Sequence, residues 1–425
     1  MADHSAGQAI GRAALARIRR RLLPFTFLLY IVAYLDRINV GFAALEMNRQ
    51  LGLGDAAYGL GAGLFFIGYF LFEVPSNLIL HRVGARAWIA RIMISWGVVA
   101  IAMAAVRGAA SFYLLRFLLG VAEAGFFPGI ILYLTYWFPA REQARSIALF
   151  MTASALAGVI GGPLSGALLA MDGALGLSGW QWLFVLEGAP SVILGLTVLF
   201  YLPNGPGDAR WLTAAEKRWL AERLEFERSS GKEGGLVRTL TDGRVWLLSM
   251  LYFAIVTGLY GVTLWLPQII KGFGALGNFE IGVISAVPFL VAAIAMVGIG
   301  RSSDRRGERR WHVAFSAFAA AAGLTISALT RNPVIALAAL SLGAAGIWGT
   351  MGPFWSMPPA FLSGAGAAAG IALINSVGNL GGFVGPYLVG LVRQKSHSFS
   401  GGLAAMAAML ALAGCLALAL RDDAG

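Results

Sequence analysis

Apolar residues in this chain run in unbroken stretches of roughly 20 or more, the length a helix needs to cross a bilayer. Such stretches begin near residues 22, 58, 88, 111, 146, 180, 245, 281, 312, 333, 364 and 400, and short polar or glycine-rich turns separate them. The pattern predicts an all-α membrane protein with twelve transmembrane helices. One long polar segment, from about Asn204 to Arg244, interrupts the series after the sixth helix and carries eight basic and seven acidic residues. Within it, "LTAAEKRWLAERLEFE" sets Thr213 three residues before Glu216, a capping-box spacing, with Trp219, Leu220 and Leu224 at helical spacing. An amphipathic helix along the inner membrane face is expected there. The chain thus divides into an N-terminal six-helix bundle (1–203), a cytoplasmic linker (204–244) and a C-terminal six-helix bundle (245–425).

Composition strengthens this reading. Hydrophobic residues make up 58%, charged residues 12%, and mean hydropathy is +0.74, more than a soluble core requires. The formal charge of +11 could suggest a nucleic-acid partner, but most of the 32 Lys and Arg fall on alternate segments, so the charge sets topology with both termini inside. Two places depart from this bias: "RQK" at Arg393 to Lys395 falls outside, and the inner loop near Phe361 has no Lys or Arg. "RIRRR" at Arg17 to Arg21 resembles the basic start of a signal peptide, but the following span is long and lacks a cleavage pattern, so it reads as an uncleaved first helix. The single cysteine, Cys415, excludes an internal disulfide, and the four histidines show no paired ligand spacing. Neither a P-loop nor a nucleophile elbow is present, so no metal, cofactor or enzymatic activity is expected.

The two halves repeat. "HRVGAR", with Arg82 and Gly84, recurs as "DRRGER", with Arg305 and Gly307; "GVIGGP", with Gly158, Gly162 and Pro163, recurs as "GGFVGP", with Gly381, Gly385 and Pro386. Each pair is separated by 223 residues, which implies internal duplication and two pseudo-symmetric bundles.

"GRSSDRRGERR" from Gly300 resembles the loop signature of the major facilitator superfamily, with Glu308 at one usually basic place. The first copy departs further, with Asn77 and His81 where Gly and Asp are usual. "YLDRINVGFA", "FEVPSNLILHRVGAR" and "RFLLGVAEAGFFPG" resemble its anion:cation symporter family, with "YGVTLWLPQIIKGFG" leaning towards the bacterial tartrate and phthalate branch. The resemblance covers Leu22 to about Leu391. It implies a monomeric transporter of the bacterial inner membrane that rocks two bundles around a central site.

Few ionisable groups lie inside the spans: Asp36 and Arg37 in the first, Glu73 in the second, Arg116 and Glu123 in the fourth. Charges at that depth line cavities or pair with one another. Arg116 and Glu123, seven residues apart, share a helix face about 10 Å apart along the axis. Their repeat counterparts are Ala339 and Gly346, so only the first bundle carries the pair. Ion pairs that merely orient helices remain the alternative. By resemblance, Arg37 binds a substrate carboxylate, while Asp36 and Glu123 take coupling protons and Arg116 compensates their charge. A guanidinium offers a planar fork to a carboxylate, and a carboxyl in low dielectric accepts protons readily. The resemblance also implies substrate contacts at Tyr69, Trp355 and Asn375. The two aromatics fit packing roles equally well, whereas a mid-membrane amide needs a partner. Ser154, Tyr260 and Gln268 are plausible cavity liners. Glu73, one turn before Pro75, reads as bonded to the opened helix backbone or to the inner gate. Asp304, Arg305 and Arg82 are latch candidates at the inner helix ends.

The expected function is secondary active import of an organic anion, such as a hydroxy-dicarboxylate, aromatic carboxylate or sugar acid, together with protons. Export, anion exchange or sodium coupling on the same fold stays open. A transporter-like sensor or membrane enzyme is disfavoured by the lack of an appended soluble domain or catalytic constellation.

Overall fold

The computed structural model describes residues 2–229, 241–362 and 364–420, and these residues form helices and connections without strands. The first bundle contains α1 (Ala2–Leu51), α2 (Asp55–Val83), α3 (Ala85–Ala102), α4 (Ala109–Glu123), α5 (Phe126–Thr135), α6 (Ala140–Leu169) and α7 (Gly179–Tyr201). After α8 (Ala214–Ser229), the second contains α9 (Gly243–Thr263), α10 (Leu266–Lys271), α11 (Asn278–Arg306), α12 (Arg310–Leu329), α13 (Pro333–Trp355), α14 (Pro358–Phe361), α15 (Gly364–Asn379), α16 (Gly381–Ser396) and α17 (Ser400–Ala419). Among the described residues, eleven segments are long and apolar enough to span a membrane, with α4 and α5 forming one of them. The pair α15–α16, interrupted at Leu380, occupies the place of the twelfth. Each bundle has one basic end, where α1 starts and α2 and α11 finish, and one far end.

Two features depart from a simple series of straight spans. The expected first helix begins at Leu22, but α1 already starts at Ala2, because "QAIGRAALARIRRR" has good helix formers and only one glycine. Pro24 lies inside this helix, and the hydroxyl of Thr26 donates to the Leu22 and Leu23 carbonyls beside it. Helix α8 packs on the extension: Trp219 covers Gly11, and Arg17 pairs with Glu216 at 3.2 Å. The predicted capping box of α8 is present, with Glu216 accepting from the Thr213 amide at 2.8 Å. Residues 230–240 of the expected linker lie outside the described residues.

The second departure is the break between α4 and α5. Gly125 has a positive φ of 85°, and a Cβ there would come within 2.3 Å of Ser76 Oγ. The chain therefore leaves the helix immediately after Glu123.

Glycines set the close helix contacts. Within the first bundle a Cβ on Gly120 would lie 1.9 Å from the Phe65 carbonyl, so α2 and α4 touch backbone to backbone. Gly120→Ala is expected to lower stability by about 1–3 kcal/mol through overpacking. Gly298→Ala, at a position where nothing lies within 4 Å, serves as control. Thermal unfolding in detergent checks the pair; equal midpoints would contradict the close packing.

Between bundles, the corresponding contacts concentrate towards the far end. Gly162 meets the Gly282 carbonyl and Gly166 the Asn278 carbonyl between α6 and α11, while Gly59 and Gly63 meet Pro386 and Phe383 between α2 and α16. Polar ties reinforce them. Arg393 bridges Asp55 at 3.0 Å and Gln268 at 2.7 Å, and its guanidinium lies over Phe399. Lys271 Nζ donates to the Leu45 carbonyl, and Asn278 Nδ2 to Glu46 Oε1. Arg393, the local exception to the charge bias, is thus a residue that ties the bundles together.

Arg393→Ala should loosen this end. The pair is partly exposed, so its loss is worth about 1 kcal/mol and roughly a fivefold change in opening. A cysteine at buried Thr263, in a Cys415→Ser background, should react correspondingly faster with a membrane-impermeant reagent. An unchanged rate would contradict the tie.

Candidate substrate and proton site

Where the bundles meet they enclose a small cavity of about 60 Å³, lined by Tyr30, Tyr34, Arg37, Tyr69, Tyr252, Tyr260, Trp348 and Asn375 among others. Its walls are mainly aromatic and apolar, with one cation among them. That cation is Arg37. Its guanidinium lies over the rings of Phe65 and Tyr69, 5.3 and 5.5 Å from their centroids, a cation–π arrangement that holds it in place. One terminal nitrogen donates to Glu123 Oε1, and the other donates to the Tyr260 hydroxyl at 2.9 Å. Tyr260 is 223 residues from Arg37, so equivalent positions of the two repeats touch across the cavity.

The Arg37–Glu123 pair is incomplete as well as buried. Arg37 Nε and Glu123 Oε2 have no hydrogen-bond partner. A guanidinium that uses two of its nitrogens and leaves Nε free beside a cavity retains capacity for an incoming carboxylate. Glu123 is the last residue of α4, just before the Gly125 break, so its carboxyl sits where the helix ends.

Arg116 and Glu123 do not pair. Arg116 is fully buried, donates to the Ala62 carbonyl at 3.0 Å and lies over Phe65; its Nε and one terminal nitrogen have no partner. Arg37 and Arg116 thus stack on the same ring.

Asp36 and Arg37 are neighbours in sequence but face different directions. Consecutive helical residues differ by about 100° around the axis. Asp36 turns into its own bundle, where Oδ2 accepts from Trp96 Nε1 and Ser191 Oγ, both at 2.6 Å. The carboxylate that partners Arg37 therefore comes from α4, not from the adjacent residue.

Of the two expectations for Glu73, a bond to the opened helix backbone or to the inner gate, the first is not what the structure shows. Glu73 accepts from Asn375 Nδ2 at 2.5 Å and Ser376 Oγ at 3.2 Å on α15, linking the two bundles. Asn375 is thereby engaged by the protein itself while facing the cavity. Tyr69 lines the cavity against Arg37, whereas Trp355 packs on Tyr252 and Phe354 and is not among the cavity residues. The tryptophan at the cavity is Trp348. Ser154 and Tyr260 line it as well, while Gln268 binds Arg393 at the far end.

At the basic end, Asp304 pairs with Arg309 of its own loop at 2.7 Å, with its side chain 70% exposed, and Arg305 and Arg82 are exposed. Glu308 anchors this loop. Burial raises its carboxyl's pKa, but hydrogen bonds from the Trp311 amide and from the His312 ring and amide outweigh that and hold it below the usual glutamate range. Their contribution is full at neutral pH and fades as pH falls through that lowered value.

One buried carboxyl is missing from the expected set. Glu187 on α7 is 4% exposed and accepts from Ser165 Oγ at 2.8 Å. Its signal was a lone carboxyl within the 23-residue apolar segment Gly179–Tyr201.

Comparison with known proteins agrees with this architecture. A protein of Agrobacterium vitis named "Putative tartrate transporter" is 53% identical over 96% of this chain and 91% of its own length. The "Quinolone resistance transporter" of Acinetobacter baumannii is 47% identical over 90% and 89% of the two chains. Among solved structures, an inward-facing bacterial homologue of the human lysosomal transporter Spinster superposes with a TM-score of 0.77 at 17% identity, covering 94% of this chain and 96% of that one. With two repeated bundles around a central cavity, and a sequence profile matched over residues 26–386, the chain belongs to the Major Facilitator Superfamily, whose members are transporters.

Proposed function

We propose that the protein imports an organic anion with protons across the bacterial inner membrane, with its basic end and both termini in the cytoplasm. The observation that carries this reading is the incompletely satisfied Arg37 guanidinium, held at the cavity by Glu123 and Tyr260. A carboxylate entering the cavity competes with Glu123 for Arg37, and protonation of Glu123 settles that competition in favour of the substrate. Tyr69 and Asn375 complete the anion site. Relatives named for tartrate transport support a hydroxy-dicarboxylate as substrate.

The close inter-bundle contacts at the far end close that side of the cavity, and we read this as the arrangement of a carrier that opens to the cytoplasm. In the opposite state Asp304, Arg305 and Arg82 would latch the cytoplasmic ends. Export is the second reading, favoured by the relative named for quinolone resistance.

Purified protein in liposomes, with an inward proton gradient, should accumulate labelled tartrate or a related acid, and a protonophore should collapse the accumulation. Accumulation of a quinolone under an outward proton gradient instead, without uptake of carboxylates, would favour proton-driven export.

A further inference from the structure

We infer that Glu187, together with Asp36, forms a second proton-binding pair in the first bundle, built into the contact between α1 and α7 and separate from Glu123 at the cavity. The inference rests on the proton-coupled reading above.

Asp36 and Asn39 are three residues apart on α1, while Glu187 and Ser191 are four apart on α7, so each pair occupies one helix face. These faces meet. Ser191 Oγ donates to Asp36 Oδ2, and the Asn39 amide lies against the Glu187 carboxyl. Helix α3 adds the Trp96 indole on Asp36, and α6 adds the Ser165 hydroxyl on Glu187. Each carboxyl therefore has one satisfied oxygen. Asp36 Oδ1, Glu187 Oε2 and both polar atoms of the Asn39 side chain have no hydrogen-bond partner.

The charged groups around the cluster are few. Glu187 faces Asp36, and Asp36 faces Glu123 on α4; α3 and α6 contribute an indole and a hydroxyl. Among the described residues no cation lies within ion-pair distance of either carboxyl, because the Arg37 guanidinium is turned to the cavity side. Two carboxylates in such surroundings repel each other without compensation, so the dry cluster excludes the doubly charged form.

Protonation resolves the unpartnered atoms. A proton on Glu187 supplies the donor that Asn39 Oδ1 lacks, and Asn39 Nδ2 remains to donate to the other carboxyl. The proton comes from water when the α1–α7 contact loosens on one side of the membrane during the cycle, and returns to water when it loosens on the other side. No other bond forms or breaks. The consequence is a second coupled proton per cycle, carried behind the substrate site.

The test uses full-length protein in liposomes, with tartrate as probe. Protons taken up per anion, accumulation and the pH profile of uptake are measured for wild type, Glu187→Gln and Glu187→Asp. Glu187→Gln should lower the proton-to-anion ratio by one, cut accumulation at least fivefold and flatten the profile, with Glu187→Asp restoring part of each. Accumulation, ratio and profile equal to wild type in Glu187→Gln would overturn the inference. So would a parallel loss of counterflow and accumulation with an unchanged profile, which marks a structural role. If Glu187→Gln fails to fold, Glu187→Asp decides: a shifted profile supports the inference and an unshifted one overturns it. A wild-type protein that takes up the anion without protons overturns the proton-coupled reading itself, a result distinguishable from failure of the Glu187 assignment.

Discussion

Arg37→Ala is expected to abolish measurable anion binding. The guanidinium is the cation lining the cavity, and a carboxylate desolvated there without a partner loses about 2–5 kcal/mol of binding, a factor of roughly 30 to several thousand. Arg37→Lys should also bind weakly, because an ammonium keeps the charge but cannot use the fork that engages Glu123 and Tyr260 together. Folding is the confounder, and the structure identifies its source. Truncating Arg37 strands Glu123, whereas Asp36 keeps its bonds to Trp96 and Ser191. An unpaired buried charge costs about 3–5 kcal/mol, so Arg37→Ala alone should be markedly less stable, and adding Glu123→Gln should recover most of that loss without recovering binding. Adding Asp36→Asn instead should not. Calorimetry with tartrate and thermal unfolding of the single and double variants check both statements. Near wild-type affinity in a well-folded Arg37→Ala would remove the anion-site assignment.

What the sequence made legible, and what it hid, follow from different physics. Span positions come from length and apolarity alone, and the 223-residue offset marks the two glycine-proline motifs as equivalent; that both lie at inter-bundle contacts, Gly162 against Gly282 and Pro386 against Gly59, is seen only in the structure. The direction of side chains could not be read this way. Asp36 and Arg37 look like one unit in the text of the chain, yet helical rotation sends one into the bundle and the other to the cavity. Arg116 and Glu123 share a helix face by spacing, yet the partner of Glu123 is Arg37 and that of Arg116 is a backbone carbonyl. Both outcomes depend on which helix lies opposite, a tertiary fact. Glu73 is similar: its bonds to Asn375 and Ser376 span about 300 residues of sequence, beyond any local pattern. The α4–α5 break had a signal in Gly125, but long apolar runs conceal breaks that glycine makes possible.

Glu123→Gln should uncouple anion binding at Arg37 from the proton. In the structure the carboxylate holds Arg37 through Oε1, so it competes directly with any substrate anion for the same guanidinium. Protonation neutralises Glu123 and weakens its grip on Arg37, so wild-type affinity for the anion should rise as pH falls. Glutamine has the shape of the protonated acid and still offers an amide oxygen to Arg37, so the buried guanidinium is not abandoned. Its affinity should therefore be independent of pH and close to the wild-type value at low pH, a gain of about tenfold at neutral pH if the pair contributes roughly 1.4 kcal/mol to the competition. Proton-driven accumulation should meanwhile fall well below wild type, to what the Glu187 proton alone can drive, because binding no longer requires a proton at this site. Counterflow, which needs only loaded carrier to cross, should persist, slowed where tighter binding delays release. The location of Glu123 explains why one residue can do this: it ends α4 at the Gly125 break, where a small backbone movement changes its distance from both Arg37 and the cavity. Binding from pH 5.5 to 8 and paired counterflow and accumulation assays give the answer. An affinity in Glu123→Gln that still follows pH as in wild type would show that the coupling proton binds elsewhere, and would leave Arg37 and Glu123 as a structural pair.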